Sequence, residues 1–179
     1  SLQFVRHNLR AREGAEAEVR RRQESLQLLL DSAAEGLYGV DTDGRCTFIN
    51  RSALHMLGYE HEADLVGHRI HDLIHHTHAD GRPYPAHDCR MYQAHRSGEP
   101  VHVNDEVFWR RDGRAFQVKY WSHPVLRDGQ IRGAVATFFD ITERLHTQAA
   151  LHDSQQRLAR LVDTVADGVV SIDPERRIL

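Results

Sequence analysis

The chain has 179 residues, of which 40% are hydrophobic and 27% charged, and its formal net charge at pH 7 is -3. This size and balance fit one globular domain with additional helix, and the charge gives no reason to expect a nucleic-acid partner. No apolar run reaches the roughly 20 residues of a membrane-spanning helix, so no membrane insertion is expected. Two cysteines are too few for a disulfide framework, which favours a reduced, cytoplasmic location.

Residues 12–33 are predicted to form a helix, because Glu, Ala, Arg, Gln and Leu dominate the segment and Pro is absent. Its apolar side chains recur with a seven-residue period, which is typical of a coiled-coil seam. The seam residues are Val19, Leu26, Leu29 and Ala33. Residues 1–33 are therefore interpreted as an N-terminal signalling and dimerisation helix.

Residues 34–140 have the pattern of an α+β domain. Strand-like apolar residues flank Asp43-Gly44, a dipeptide that favours a tight hairpin turn. Asn50 then stands where a helix cap belongs, and Gly58 follows as a stop signal. Short helices and loops are expected as far as residue 96, including a helix over residues 86–96.

Three longer strands are predicted next, and two Asp-Gly turns separate them. They are Val101–Arg110, Arg114–Leu126 and Gln130–Phe139. Strands joined by such short turns must pair antiparallel. Together with the first hairpin they predict a five-stranded antiparallel sheet, with the short helices covering one face.

The chain is predicted to become helical again at Asp140, and residues 141–166 are interpreted as a linker helix. A second seven-residue seam runs through it, formed by Leu151, Leu158 and Val165. Leu151 follows Val19 by 132 positions, the difference between 151 and 19. The same offset aligns residues 29–47 with residues 161–179. This internal repeat predicts a tandem array, in which residues 167–179 begin a second, truncated copy of the domain.

Two segments resemble a known family. DSAAEGLYGVDTDGRCTFINRSALHMLGY resembles the opening of a PAS domain, and GAVATFFDITERL resembles its last strand and the linker that follows. The resemblance covers residues 24–146. It implies a PAS fold of the kind found in sensor histidine kinases, diguanylate cyclases and chemoreceptors, flanked by long N- and C-terminal coiled-coil helices.

The resemblance also implies how the domain works. The flanking helices would pair in a parallel homodimer and pass a signal to an output domain in the same polypeptide, with a histidine kinase of a two-component system as the favoured output. The linker residues that would relay the signal are Asp140, Ile141, Thr142 and Glu143. No ATP-binding, phosphoacceptor or cyclase motif and no Gly-x-Ser-x-Gly elbow occurs in the sequence. The chain is therefore not expected to be an enzyme by itself, although its parent protein is expected to be a kinase.

Histidine is abundant, with 14 residues and a dense group between positions 68 and 87. His71 and His75 are four apart and would share a helix face, and His87 and Cys89 follow after a Pro-Tyr-Pro loop. These four residues are the candidate ligands of a zinc or iron ion. The favoured interpretation is that they cap short helices and hydrogen-bond loop carbonyls instead.

Two other cofactors are alternatives. In the haem interpretation, His87 or His95 is the axial ligand, since haem-binding PAS domains often take it from the helix before the long strands. In the flavin interpretation, Cys89 would be the reactive thiol, but HDCRMY does not match the cysteine motif of flavin-adduct light sensors. We therefore favour a domain without a cofactor, with metal, haem, flavin or a small ligand as alternatives.

Overall fold

The computed structural model describes residues 2–167, with side chains described for residues 12–93 and 96–162. The helices are α1 (Leu2–Ser32), α2 (Arg51–Leu57), α3 (Ile70–Ile74), α4 (Arg90–Ser97) and α5 (Thr142–Asp167). The strands are β1 (Gly36–Val40), β2 (Cys46–Ile49), β3 (Val101–Trp109), β4 (Ala115–Arg127) and β5 (Gln130–Asp140). Two compact units follow one another in sequence, with the boundary between Asp140 and Ile141.

The five strands form one sheet in the order β2-β1-β5-β4-β3, and every neighbouring pair is antiparallel. The predicted five-stranded sheet is confirmed, and the bounds of its three long strands differ from the predicted ones by one residue at most. The first hairpin joins the later meander through β1 and β5, where Tyr38 lies opposite Ala136.

The three Asp-Gly dipeptides predicted as hairpin turns all lie in turns between strands, and Asp128-Gly129 forms the two-residue turn that the local sequence predicts. Asp128 and Gly129 both have positive φ, at 53° and 72°, as a two-residue hairpin turn with a right-handed twist requires. Gly44 and Gly113 have φ of 76° and 79°. Each of these two ends a longer, three-residue loop, in which the glycine nitrogen donates a hydrogen bond to the carbonyl three residues earlier.

The core lies between the sheet and the short helices. Phe108, Tyr120 and Phe138 pack ring against ring on neighbouring strands, with Phe108 within 5.7 Å of each of the other two ring centroids. Leu57 from α2 and Ile74 from α3 are fully buried against this layer. The predicted arrangement of short helices over one face is therefore confirmed.

Asn50 is the helix cap that the sequence predicts. It precedes α2, and its side-chain oxygen accepts a hydrogen bond from the Ala53 nitrogen at 3.0 Å. Gly58 closes the other end of α2 in the left-handed conformation, with φ of 75°.

Two helix boundaries differ from the prediction. α1 begins at Leu2 rather than at residue 12, because residues 2–11 contain good helix formers and Gly14 is tolerated within the helix. α4 begins at Arg90 rather than at residue 86, because the Pro85 carbonyl accepts hydrogen bonds from the Asp88 and Cys89 nitrogens. A turn therefore precedes the helix.

No helix in the described part of the chain is both long and apolar enough to cross a bilayer. The linker helix is present as α5. The second copy of the domain was predicted to begin at residue 167, and residues 168–179 of it lie outside the described residues. The domain boundaries therefore stay a prediction.

Candidate functional site

The short helix α3 carries two buried histidines. Ile70 and Ile74 anchor it in the core, and His71 and His75 are buried one turn apart, with ring centroids separated by 5.7 Å. The His75 nitrogen donates to the His71 carbonyl at 2.9 Å, which continues the helical hydrogen-bond pattern. The four-residue spacing therefore places both rings on one face, as the sequence suggests.

The loop after α3 returns the chain to the same helix. Thr77 and Pro83 form an isolated antiparallel bridge, and the turn between them uses Gly81 at φ of 84°. Tyr84 is thereby placed beside the histidines. Its carbonyl accepts a 2.7 Å hydrogen bond from Nε2 of His71, and its ring lies 5.0 Å from that of His75. Because a carbonyl can only accept, the proton of neutral His71 is on Nε2.

The turn before α4 brings a cysteine to the same point. Cys89 is buried, and its Sγ lies 3.3 Å from Nδ1 of His75. One ring nitrogen of His71, one of His75 and the sulfur of Cys89 all lie within 4.8 Å of one another. Three of the four residues proposed from the sequence as metal ligands are therefore brought together.

The fourth of those residues, His87, is separate. Its side chain is 75% exposed and lies 3.5 Å from an Asp88 carboxylate oxygen, in the turn that precedes α4. The sequence prediction placed His87 on a helix over residues 86–96, and that helix begins only at Arg90. The side chain of His95, the other residue proposed as a haem ligand, lies outside the described residues.

A β-bulge turns Glu106 toward the histidines. In the β3–β4 ladder, Val103 lies opposite Tyr120, and Glu106 lies opposite Val118. The two residues between Val103 and Glu106 therefore face the single residue between Tyr120 and Val118. Strict alternation from Val103 would place Glu106 on the other face of the sheet. The extra residue of the bulge shifts the alternation by one position. Glu106 therefore points into the domain, and its side chain is only 11% exposed.

Glu106 is the centre of a hydrogen-bond network. Its Oε2 accepts from Nε2 of His75 at 2.9 Å and from the Tyr120 hydroxyl at 2.7 Å. Its Oε1 accepts from the Tyr84 hydroxyl at 3.2 Å and lies 3.5 Å from Nε of Arg90. Burial alone would raise the pKa of Glu106, but the bonds from His75 and Tyr120 and the charge of Arg90 outweigh it, so the pKa is lowered.

A small cavity of about 20 Å³ lies beside the cluster. His71, His75, Cys89 and Ser122 all contribute to its wall. Among the side chains that the structure describes, two buried polar atoms have no hydrogen-bond partner, namely Nδ1 of His71 and Oγ of Ser122. The cavity has room for a single water, and it is far below the roughly 300–1,000 Å³ of small-molecule pockets. A haem or a flavin would therefore require this part of the core to open.

The order Cys89, His75, Glu106 is that of a nucleophile, a base and an acid, but the site does not favour nucleophilic chemistry. Cys89 is 1% exposed, and burial raises the pKa of its thiol to about 12. A reactive cysteine needs a lowered pKa and access to its substrate. The arrangement is suited instead to holding a small species inside the core.

The sequence reasoning did not find Glu106, Tyr84, Tyr120 or Ser122. Tyr84 was visible only as part of a Pro-Tyr-Pro loop, and Tyr120 and Ser122 as ordinary strand residues. The local signal for Glu106 was a run of three polar residues in β3, Asn104-Asp105-Glu106, and the bulge that directs Glu106 inward depends on pairing with β4.

The comparisons with known proteins agree with this architecture. A family model described as PAS fold matches residues 24–141. The chain belongs to the PAS-fold family. The resemblance that the sequence motifs suggested is thus confirmed, and the short helices, the bulged β3 and the buried cluster are features of one PAS domain.

Two curated relatives are a histidine kinase and a virulence sensor protein. The chain is 28% identical over 142 residues to the cell-division control histidine kinase PdhS of Brucella anthropi, covering 78% of the chain and 13% of that protein. It is 26% identical over 157 residues to the virulence sensor protein BvgS of Bordetella pertussis, covering 86% of the chain and 12% of that protein. The chain therefore spans about an eighth of the length of either relative.

Among solved structures, the PAS domain of an HTR-like protein from Haloarcula marismortui has a TM-score of 0.56 and 21% identity, covering 72% of this chain and 99% of that one. This likeness supports the fold. The chain is thus a PAS domain that is similar in sequence to part of a histidine kinase and to part of a virulence sensor protein.

Proposed function

We propose that this PAS domain is a cytoplasmic sensory and signal-relay module. It forms a parallel homodimer through α1 and α5 and passes a signal to an output domain in the same polypeptide, a histidine kinase of a two-component system. The observation that carries the proposal is the row of exposed apolar side chains on each flanking helix.

Each row lies at the positions that the seven-residue period predicts. Five seam residues are between 56% and 68% exposed in the single chain: Val19, Leu26, Leu29, Leu151 and Leu158. Ala33, also in the seam, is partly buried. The side chain of Val165 lies outside the described residues. Burial of an apolar row on an otherwise polar helix is favourable, and it requires another helix to cover the row. A second copy of the chain presents the same seam in register.

The end of α1 is fastened to the sheet by one buried side chain. Asn50 donates to the carbonyls of Leu30 and Glu35, each at 2.9 Å, and accepts from the Leu37 nitrogen at 2.9 Å. Leu30 belongs to the last turn of α1, and Leu37 to β1. A movement of β1 would therefore be transmitted directly to the helix that carries the first seam.

At the other end of the domain, Asp140 closes β5. Its carboxylate lies 2.6 Å from the Arg110 guanidinium, which also donates to the Met56 carbonyl at the end of α2 and lies over the Phe116 ring. Asp140 is followed directly by Ile141, Thr142 and Glu143, the proposed relay residues at the start of α5. The ion pair supports a role for Asp140 in coupling the sheet to the exit of the domain.

The nature of the output rests on the relatives. PdhS is a histidine kinase and BvgS a virulence sensor protein, and each contains a region similar to this chain. A PAS domain with a helix on each side is suited to transmit a change of helix packing to such an output.

The dimer is tested by sedimentation equilibrium of the 179-residue chain, comparing wild type with Leu158→Asp and with Gln156→Asp. Gln156 lies two residues before Leu158 on the opposite side of α5, so both variants place the same charge in the same helix. Each dimer of Leu158→Asp loses two seam leucines of at least about 1.5 kcal/mol each, and its dissociation constant should rise by about 100-fold or more. Gln156→Asp should associate as wild type does. A monomeric wild-type chain, or equal weakening by the two variants, would contradict the proposal.

A further inference from the structure

The buried cluster has the chemistry of a metal site, which the relay function does not require. His71, His75 and Cys89 offer two imidazole nitrogens and one sulfur within 4.8 Å of one another. With Zn–N near 2.0 Å and Zn–S near 2.3 Å, tetrahedral zinc holds a nitrogen and a sulfur ligand about 3.6 Å apart. Nδ1 of His75 and Sγ of Cys89 are already 3.3 Å apart. The ligand nitrogen of His71 lies within 4.8 Å of the other two ligand atoms, so a small inward shift of this side chain would suffice for coordination.

Both histidines have their other nitrogen fixed by an acceptor. Nε2 of His71 donates to the Tyr84 carbonyl at 2.7 Å, and Nε2 of His75 donates to the Glu106 carboxylate at 2.9 Å. In the neutral rings each Nδ1 therefore keeps its lone pair, and Nδ1 of His71 is a buried atom without a partner. Metal-binding histidines are commonly oriented in this way, by a carbonyl or carboxylate on the far nitrogen.

The adjoining cavity supplies a fourth position. His71, His75 and Cys89 line it together with Ser122, and its volume of about 20 Å³ accommodates one water. The Ser122 hydroxyl is buried without a partner, and Ser122 contributes to the wall of this cavity. A water bound to a metal ion would give this hydroxyl a hydrogen-bond partner while it completes a tetrahedral set.

The charges favour a divalent ion. The formal charges of a Zn²⁺ ion, the Cys89 thiolate and the Glu106 carboxylate sum to zero. A buried site requires such a balance, because an uncompensated charge in the core is costly. Arg90 also approaches Glu106, but its side chain is 53% exposed and its charge is solvated. Two imidazoles and one thiolate in a tetrahedral arrangement are a donor set that suits zinc.

We propose that His71, His75 and Cys89 form a zinc-binding site in the core of this PAS domain, with a cavity water as the fourth ligand. The thiol proton of Cys89 is released to solvent when the sulfur binds the ion. The ion would join α3 to the turn before α4, and through Glu106 it would be supported by β3. The site is independent of the dimer seam, so either proposal can fail without the other.

The site is tested on the untagged 179-residue chain, freed of metal with a chelator and titrated with Co²⁺, a spectroscopic substitute for Zn²⁺. We expect one equivalent of Co²⁺ to produce visible d–d bands and a thiolate-to-cobalt charge-transfer band, and Zn²⁺ to abolish both. Inductively coupled plasma mass spectrometry should then find one zinc per chain, and the melting temperature should rise with zinc.

Matched variants identify the ligands. Cys89→Ser should lose the charge-transfer band, whereas Cys46→Ser, which removes the other buried cysteine, should keep it. His71→Ala should lose tetrahedral binding, whereas His87→Ala should keep it. Glu106→Gln should bind zinc about 10–100-fold more weakly, because Glu106 only orients His75. Circular dichroism confirms that each variant is folded.

Two results would overturn the proposal. One is a wild-type chain that binds no stoichiometric zinc and gives no thiolate-to-cobalt band. The other is a folded Cys89→Ser or His71→Ala variant that binds zinc as tightly as wild type.

Discussion

Replacing Asn50 by Ala should destabilise the domain strongly, because this buried side chain is hydrogen-bonded to four backbone groups. The Asn50 side chain is fully buried and makes four hydrogen bonds. It accepts from the nitrogens of Leu37 and Ala53 at 2.9 and 3.0 Å, and it donates to the carbonyls of Leu30 and Glu35 at 2.9 Å each. The variant therefore leaves two backbone donors and two backbone acceptors without these partners.

The magnitude follows from these four bonds. A typical intramolecular hydrogen bond contributes about 1 kcal/mol net, so the four together contribute about 4 kcal/mol. Loss of the helix cap alone costs roughly 0.5–2 kcal/mol, which is included in that sum. Because domains of this size are stable by about 5–15 kcal/mol, Asn50→Ala should keep only part of its free energy of unfolding.

Urea denaturation followed by the fluorescence of Trp109 and Trp121 measures this free energy. Asn104 is exposed on β3, and Asn104→Ala is the matched control, expected within about 0.5 kcal/mol of wild type. Asn50→Asp keeps the acceptor oxygens and loses the two donated bonds, so its stability should lie between Asn50→Ala and wild type. A loss below about 1 kcal/mol for Asn50→Ala would refute the role we assign to this side chain.

Two further predictions concern stability. Gly133→Ala should destabilise the domain by more than about 1 kcal/mol, because φ of Gly133 is 146° and a Cβ would lie 1.9 Å from the Val40 carbonyl oxygen. Gly14 lies in open space on α1, so Gly14→Ala should instead stabilise the domain by about 0.5–1 kcal/mol. Thermal melts measure both, and a shift of the same sign for the two would contradict this. Glu106→Ala should cost the metal-free chain at least about 3 kcal/mol, because His75, Tyr84 and Tyr120 lose a charged acceptor. An unfolding free energy within about 1 kcal/mol of wild type would be inconsistent with the network.

The fold could be predicted largely because its signals are local. Asp128-Gly129 needs only its own backbone preferences to form a tight turn, and Asn50 and Gly58 mark the ends of α2 within eight residues of sequence. Alternating apolar residues then define the long strands between the turns. Each of these features is set by neighbours along the chain, so no tertiary information was needed.

The candidate site could be predicted only in part. The four-residue spacing of His71 and His75 is a local signal, and Cys89 was a candidate by its chemistry. The position of α4 was wrong, since the Pro85 carbonyl closes a turn that leaves His87 exposed and directs Cys89 inward. Glu106 was missed because a bulge against β4 decides which face it occupies, and pairing between strands is not visible in the sequence of one strand.

Disulfide crosslinking tests the parallel dimer most directly. Leu151→Cys and Leu158→Cys place a thiol in the predicted seam of α5, and Gln156→Cys places one on the opposite side. The native cysteines, Cys46 and Cys89, are 2% and 1% exposed and should not react. In a parallel pair each seam residue meets its own copy, at a Cα separation of about 6 Å that a disulfide can span. We expect both seam variants to form covalent dimers under mild oxidation and Gln156→Cys to stay monomeric on a denaturing gel; crosslinking at only one seam position, or equally at Gln156→Cys, would contradict relay through a parallel helical dimer.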